Sequence, residues 1–316
     1  MAPPHLALFL FISQQQGSPM ISNKKTLSAT IACLLGVSAF QANAALVTLD
    51  ITGDTTATAG VNNDSDNQTN NFSVSVESTE YDGPSNANAK ARGDDTGWFY
   101  STASGNYNFL SQSTLTQTYN VTNDNNADQF FDFSFEVMNG SIDASCGDTG
   151  YGGYGYGAAL SAYGSGCAGD DFAEAGYTAE IWLNGGSIWK SEAKIITDSN
   201  GSSLVSSGPT FNNSSVGSNS LYWGATLFNV NLGLVAANTS FILEYVVTTK
   251  VAGEILDTSY SYNNAYAQFG DPNGFSSTNN SFNSRGTDVP EPAGLALLGF
   301  GLAGLAMSRR KHKTSL

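Results

Sequence analysis

The chain has 316 residues, of which only 12% are charged, and 27 acidic residues stand against 12 Lys and Arg. Nucleic acid requires a positive footprint, so the net charge of −15 excludes it as a partner. The two histidines, His5 and His312, lie near the ends, which leaves the long central part without a Ser-His-Asp triad or a histidine zinc site.

The N-terminal region has the composition of a secretory signal peptide. Lys24 and Lys25 form a basic start, residues 27–40 form an apolar run, and Ala42 and Ala44 form a small-x-small cleavage site. This order of basic, apolar and small residues predicts export.

Cleavage at this site makes Ala45 the first residue of the mature protein. A signal peptide of ordinary length begins at residue 20, so we expect 20–44 to be the signal and 1–19 to be an extension from a misassigned start. The exported domain then covers 45–288.

This exported segment is strongly acidic, with 26 acidic residues, six basic ones and a net charge of −20. Such a charge repels anionic surfaces and suits divalent cations or neutral glycans as partners. A solvated secreted surface explains the charge equally well.

Period-two alternation of apolar and polar residues predicts β-strands along the whole segment, with no long helical period. Asn184-Gly185-Gly186 follows one strand as a hairpin turn. We predict an all-β fold, an antiparallel β-sandwich or jelly roll, with two smaller sandwiches split near 140–170 as the alternative. The predicted strands are 72–76, 115–121, 131–137, 179–183, 188–196, 221–234, 241–251 and 258–269.

Two loops rich in oxygen ligands, 62–67 and 123–128, are candidates for a structural calcium site. Asp64, Asp66 and Asn67 are the preferred ligands. Because Asn and Asp also favour ordinary turns, a polar turn without metal is the alternative. The sequence predicts no other cofactor.

Cys146 and Cys167 are the only cysteines of the exported segment. Exported proteins mature in an oxidising environment, so we expect a disulfide between them. It would close a loop rich in Gly and Tyr.

Aromatic and acidic residues suggest two kinds of glycan site. Trp182, Trp189 and Trp223 are candidate platforms for sugar rings, although such residues also fill cores. Catalysis by a carboxylate pair is a further alternative, since glycosidases use two acids about 5–10 Å apart. The candidate acids are Glu136, Glu180 and Glu244.

The C-terminal segment, 289–316, has three parts. They are the motif Val289-Pro290-Glu291-Pro292, the apolar run 293–307, and a basic cluster that includes Arg309 and Arg310. The run would rise only about 22 Å as a helix, against a hydrocarbon core of about 30 Å, which favours a transient signal over a permanent anchor. A short or tilted membrane anchor is the alternative.

This tail resembles the PEP-CTERM sorting signal of Gram-negative, exopolysaccharide-producing bacteria. The resemblance implies a short transmembrane sorting helix, handling by an exosortase, and a destination in the cell envelope, on the outer surface or in the extracellular matrix. We therefore expect a non-enzymatic protein with a structural or adhesive role in biofilm or floc formation, in contact with exopolysaccharide or a cell-surface glycan. A carbohydrate-binding module is the alternative, and a glycan hydrolase a less favoured one.

Overall fold

The computed structural model describes residues 46–148, 167–256, 261–270 and 280–286. These residues form 17 strands joined by turns. Within these ranges there is no helix that could span a membrane. The predicted signal peptide, its cleavage site and the sorting helix lie outside them.

All the strand pairs are antiparallel, as predicted. The strands are β1 Leu46–Ala59, β2 Asn62–Asn70, β3 Ser73–Asp82, β4 Ser85–Asp94, β5 Phe99–Asn106, β6 Phe109–Thr122, β7 Gln129–Val137, β8 Gly140–Asp148, β9 Phe172–Leu183, β10 Gly186–Asp198, β11 Gly201–Ser207, β12 Ser215–Val216, β13 Ser220–Trp223, β14 Thr226–Val235, β15 Ser240–Glu254, β16 Ser261–Gly270 and β17 Ser281–Gly286.

Three sheets make up two layers. Sheet A has the order β11-β10-β9-β15-β6-β1-β2, sheet B has the order β12-β13-β8-β16-β5-β4-β3, and sheet C has the order β14-β7-β17. Sheets A and B each combine early and late strands, so the described strands do not divide into two sequential sandwiches. The predicted all-β fold is confirmed.

Sheets B and C are two parts of one broken layer. The paired strands β7 and β14 of sheet C continue as β8 and β13 of sheet B. At the break, the Trp223 indole donates a hydrogen bond from Nε1 to the Met138 carbonyl at 3.1 Å. Gly140 lies against this indole, and a Cβ there would also come within 2.6 Å of the Gln268 carbonyl. The buried indole therefore fixes the corner between the two sheets.

The core changes in composition across the sandwich. On one side, β4 turns only small residues inward, and a Cβ at Gly53 would lie 2.9 Å from Val76 Cγ2. Small side chains thus let the layers approach closely there. On the other side, aromatic rings fill the space: Phe131, Phe133, Phe135, Phe241, Tyr245 and Phe269 are all buried.

Several buried serine and threonine hydroxyls in the core are satisfied by one another and by the backbone. Ser101 Oγ lies 3.0 Å from Ser113 Oγ and 2.9 Å from Thr249 Oγ1, which joins sheet B to sheet A. Ser113 Oγ donates to the Lys90 carbonyl at 2.7 Å. These bonds make the burial of small polar side chains tolerable.

The disulfide between Cys146 and Cys167 is confirmed, with a Cα–Cα distance of 4.9 Å. Cys146 lies on β8 of sheet B, and the Cys167 N–H donates to the Asp198 carbonyl at the end of β10 in sheet A. Thr197 Oγ1 also donates to the Ala144 carbonyl at 2.5 Å. Together these bonds connect the two large sheets along one side.

Most predicted strands are present, and two predictions were wrong. Phe72 lies before β3 and is 65% exposed, because the chain turns there. The predicted strand 221–234 is divided into β13 and β14 at the corner that Trp223 fills. Tyr222 accordingly points outward from sheet B, between the buried Leu221 and Trp223. The Asn184-Gly185 turn is confirmed, with positive φ at both residues.

The corner at Gly140 generates a stability prediction. Replacing Gly140 with Ala should lower the free energy of unfolding by about 1–3 kcal/mol, because the new methyl group would overlap the Trp223 ring and the Gln268 carbonyl. Urea unfolding measures the change. Gly186→Ala is the matched control, since its nearest neighbour, the Leu183 carbonyl, is 3.5 Å away. Equal effects of the two substitutions would contradict this account.

The disulfide generates a second prediction. The double variant Cys146→Ala, Cys167→Ala should lose about 3 kcal/mol of unfolding free energy, because the bond closes a loop with a sequence separation of 21. Wild-type protein treated with reductant should unfold at the same urea concentration as the variant. A variant as stable as oxidised wild type would show that the bond does not stabilise the fold.

Candidate functional site

The alternation of side chains along β7 defines the outer face of sheet C. Phe131, Phe133 and Phe135 are fully buried, and Phe131 lies 5.5 Å from Phe241 of sheet A between ring centroids. Because the register of a strand with one buried face is strongly specified, this inward row also fixes the outward one. The outward residues are Phe130, Asp132, Ser134 and Glu136.

Neighbouring strands place polar and charged groups around Phe130. Arg285 on β17 and Leu234 on β14 lie directly opposite it. Asn231 and Asn283 lie in the next row, on either side of Asp132. One strand therefore contributes an aromatic ring, and its two neighbours contribute amides and a guanidinium.

An ion pair holds Arg285 across the face. Its Nη2 lies 3.4 Å from Asp132 Oδ2, with the arginine side chain 65% exposed and the aspartate 18%. The two charges of the pair offset one another, and the pair keeps the guanidinium donors and a carboxylate acceptor close to the Phe130 ring.

A β-bulge in β14 orients Asn231. The register with β7 shifts between Asn231 and Gly233, and Gly233 has a φ of +87°. The Gly233 N–H donates to Asn231 Oδ1 at 2.7 Å, so the amide oxygen is engaged and the Nδ2 group remains a donor. Bulges often re-aim a side chain in this way.

Phe130, Asn231, Arg285 and Gly286 line an open depression of about 310 Å³. A Cβ at Gly286 would meet nothing within 4 Å, so the glycine leaves space at its edge. The depression offers one apolar ring, several N–H donors and a nearby carboxylate. This combination suits a polyhydroxylated ligand with an apolar face. We name this surface, Phe130 with Asp132, Asn231, Asn283, Arg285 and Gly286, the sheet C face.

Only one of the three predicted tryptophan platforms lies on an outer face. Trp182 is half-buried on the outer face of sheet A, opposite Glu244 and Ser187. Trp189 packs on Phe135 and Phe228 at centroid distances of 5.1 and 5.2 Å. This placement removes Trp189 as a sugar platform.

Trp223 is also removed as a platform, because it is only 3% exposed and fills the corner between sheets B and C. The strand pattern did not distinguish it from Trp182. Indole rings are enriched in buried strand positions, and here the hydrogen bond to Met138 satisfies the indole N–H.

The predicted calcium ligands lie on a strand, and the structure does not bring all three together. Asp64 and Asp66 pair with inward-facing positions of β1, whereas Asn67 points to the other face and donates to Asp54. Asp64 Oδ2 accepts a hydrogen bond from the Thr79 N–H at 3.1 Å. Among the described residues, no group of three or more His, Cys, Asp or Glu could hold a metal.

The second predicted calcium loop is organised by Asn123. Its buried side chain donates to the carbonyls of Ala127 and Val235 at 3.1 and 3.0 Å and accepts from the Asn125 N–H. Asp128 accepts from the Ala237 N–H at 3.0 Å. The hydrogen bonds of these amide and carboxylate groups stabilise a turn of the chain.

The candidate catalytic acids are divided between two sheets. Glu136 lies on sheet C, whereas Glu180 and Glu244 lie diagonally on the outer face of sheet A. Ser187 Oγ donates to Glu180 Oε1 at 2.6 Å. Because Glu180 and Glu244 share one sheet face, they would meet a sugar from the same side, whereas glycosidase acids flank the bond that they cleave.

Asp143 on β8 is the one carboxyl group with a strongly raised pKa among the described residues. It lies on the outer face of sheet B between Tyr266 and Ser220. Burial raises its pKa from 3.8 to about 6. The neighbouring side chains, Tyr266 and Ser220, are neutral, so they offset little of the desolvation cost of the ionised carboxylate.

Comparison with known proteins identifies the C-terminal segment. Residues 288–311 match the family model of the PEP-CTERM protein-sorting motif. The match contains Val289 to Pro292 together with Arg309 and Arg310, which lie outside the described residues. The motif supports an exported protein that an exosortase sorts, and it implies membrane anchoring. No curated protein and no solved structure matches the chain.

Sequence reasoning missed the sheet C face. The pair Phe130-Phe131 contains a usable signal, because two consecutive aromatic residues on a strand must point to opposite faces. No sequence signal placed Asn231 and Arg285 beside Phe130, since both positions depend on the order of three strands that are distant in the chain.

Asp143 generates a pH prediction. The pKa of Asp143 in the folded protein, about 6, exceeds its value in the unfolded chain. Its favourable contribution to the free energy of unfolding is therefore complete below about pH 4 and is lost as pH rises through 6. Asp143→Asn should therefore raise the unfolding free energy by about 1–2 kcal/mol at pH 7, after allowance for partial exposure. At pH 4 it should have almost no effect. Urea unfolding at both pH values measures the difference.

The exposed Asp50 provides a matched control, because Asp50→Asn should change stability little at either pH. A benefit of Asp143→Asn that is equal at pH 4 and pH 7 would contradict an origin in ionisation.

Proposed function

We propose that this exported protein is a non-enzymatic component of the outer surface or exopolysaccharide matrix of a Gram-negative bacterium, and that it adheres to neutral polysaccharide through the sheet C face. The sorting motif supports the destination. The depression beside Phe130 is the observation that carries the binding role. Adhesion of this kind would serve biofilm or floc formation.

The chemistry of the face supports a sugar ligand. Ligand sites usually combine apolar surface with a few well-placed polar groups. A pyranose ring has an apolar face that can stack on the partly exposed Phe130, which is 38% exposed. Its hydroxyl groups can accept from Asn231 Nδ2 and Arg285, and can donate to Asp132.

Charge supports a neutral glycan over an acidic one. The chain has a net charge of −15, which disfavours association with a polyanion. On the sheet C face, Asp132 offsets the charge of Arg285. Binding through this face should therefore depend little on ionic strength.

The position of the face in the chain also supports an adhesive role. β17, which carries Arg285, ends at Gly286, and the matched sorting segment begins at residue 288. Two residues of chain can span at most about 7 Å. A protein held by its sorting segment would thus present this strand near the envelope, where surface polysaccharide is available.

Trp182 provides a second candidate surface for the same function. It is half-buried beside Glu244, Ser187 and Glu180 on sheet A, where an indole can also stack on sugar. We favour the sheet C face because there the aromatic ring borders a depression with donors on both neighbouring strands.

The binding experiment uses purified protein and a panel of immobilised neutral glucans, mannans and galactans. Phe130→Ala should weaken binding to the best neutral polysaccharide at least tenfold, because the stacking surface is lost. Leu227→Ala is the matched control, since Leu227 is 69% exposed on the same outer face, opposite Glu136. It should bind as the wild type does.

Further outcomes separate the alternatives. Loss of binding in Trp182→Ala, with Phe130→Ala unchanged, would move the site to sheet A. Release of reducing sugar that disappears in Glu180→Gln or Glu244→Gln would contradict a non-enzymatic role. Absence of binding to the entire neutral panel would overturn the proposed ligand class.

A further inference from the structure

Among the described residues, β11 is a sheet edge that carries none of the usual features that prevent pairing. Gly201–Ser207 has the sequence GSSLVSS, contains no charged residue or proline, and ends sheet A, with no described strand paired to its second side. Its Val205 is 64% exposed. Exposed edge strands are templates for pairing with another strand, and proteins usually protect them.

The other sheet edges of the described chain carry such protection. Among them, β2 and β3 carry acidic residues, and side chains of β2 also bond the β3 backbone: Gln68 Oε1 accepts from the Ser75 N–H at 2.9 Å. β12 has only two residues, β14 has the bulge near Gly233, and β17 carries Arg285. These are recognised means of blocking an edge. The contrast singles out β11.

We infer that β11 is a self-association edge, at which two copies of this chain pair antiparallel through Gly201–Ser207 and join their A sheets into one continuous sheet. A pairing centred on Leu204 places Ser203 of one copy opposite Val205 of the other and Ser202 opposite Ser206. The contact is two-fold symmetric, so each copy contributes the same residues.

The sequence of β11 suits pairing with a second copy of the same strand. Two molecules with a net charge of −15 each repel one another, and they approach most easily through a segment without charge. β11 is such a segment. Its centre is also compatible with itself, because Leu204 packs against the core beside the buried Ile195 and would meet its counterpart there.

The size of the contact predicts a reversible dimer. A pair of seven-residue strands buries less surface than the standard stable interface of about 1,600 Å². We therefore expect dimers at high local concentration, as on a crowded cell surface, and monomers in dilute solution.

Sedimentation velocity of the mature protein purified from its cells, over a concentration series, tests the inference. Wild type should dimerise reversibly. Val205→Lys and Ser203→Glu should each raise the dimer dissociation constant about two- to fivefold, because like charges of the two copies then lie diagonally across the symmetry axis. The double variant V205K/S203E should return to the wild-type dissociation constant, because each introduced lysine then faces an introduced glutamate.

Two matched controls accompany this series. Ser65→Lys places the same charge on the exposed edge strand β2 and should leave the dissociation constant unchanged. Phe130→Ala should also dimerise normally, so that failure of glycan binding and failure of self-association are distinguishable. Val205 and Ser203 are exposed, and unchanged thermal midpoints confirm that the variants fold.

Three results would overturn the inference. They are a wild-type protein that is monomeric at every concentration, a dimer that neither single substitution weakens, and single substitutions that weaken the dimer without recovery in the double variant. The last result would exclude the pairing centred on Leu204.

Discussion

The volume of inward side chains changes from one side of the sandwich to the other, and the rest of the structure depends on this change. β4 contributes Ser, Ala and Gly to the interior, so sheets A and B lie close together there. Toward β7, aromatic rings need much more space. The layer that packs on sheet A divides between these two regions, where Trp223 fills the corner. The division creates sheet C as a separate three-stranded surface, and with it the face around Phe130.

Different contacts hold the two sides of the sandwich together. This difference leaves β11 as the edge that we infer to pair with a second copy. Near β2 and β3, polar side chains such as Gln68 and Asp64 bond to backbone N–H groups and occupy an edge. Near β8 and β10, the Cys146–Cys167 disulfide and Thr197 connect the sheets from within. In the part of the chain that the structure describes, these connections do not occupy the outer edge of β11. Beside β2 and β3, the same hydrogen bonds thus stabilise the fold and protect an edge. Beside β8 and β10, the disulfide and Thr197 stabilise the fold but do not protect an edge.

Sequence periodicity predicted most of the local structure but little of the candidate site. Phe131, Phe133 and Phe135 alternate so regularly with polar residues that strand, face and burial all followed from the pattern. The break at Gly224-Ala225 was not predictable, because the corner depends on contacts of Trp223 with Met138 and Gly140, which are distant in the chain. Likewise, Asp64 has the same sequence neighbours whether it binds a metal or a backbone N–H. Only the position of β3 distinguishes these roles.

A symmetric pair of chains would change the strength of polysaccharide binding without any new contact to sugar. Each copy carries one sheet C face, so a dimer would present two equivalent faces to a repeating polymer. When both can bind one chain, the second binding step is intramolecular, and the overall affinity can exceed that of a single face by a factor of about 100 or more. Because pairing through β11 is weak, this gain would arise only where the protein is concentrated. Weak individual contacts would then be sufficient for adhesion at the cell surface and reversible in dilute surroundings.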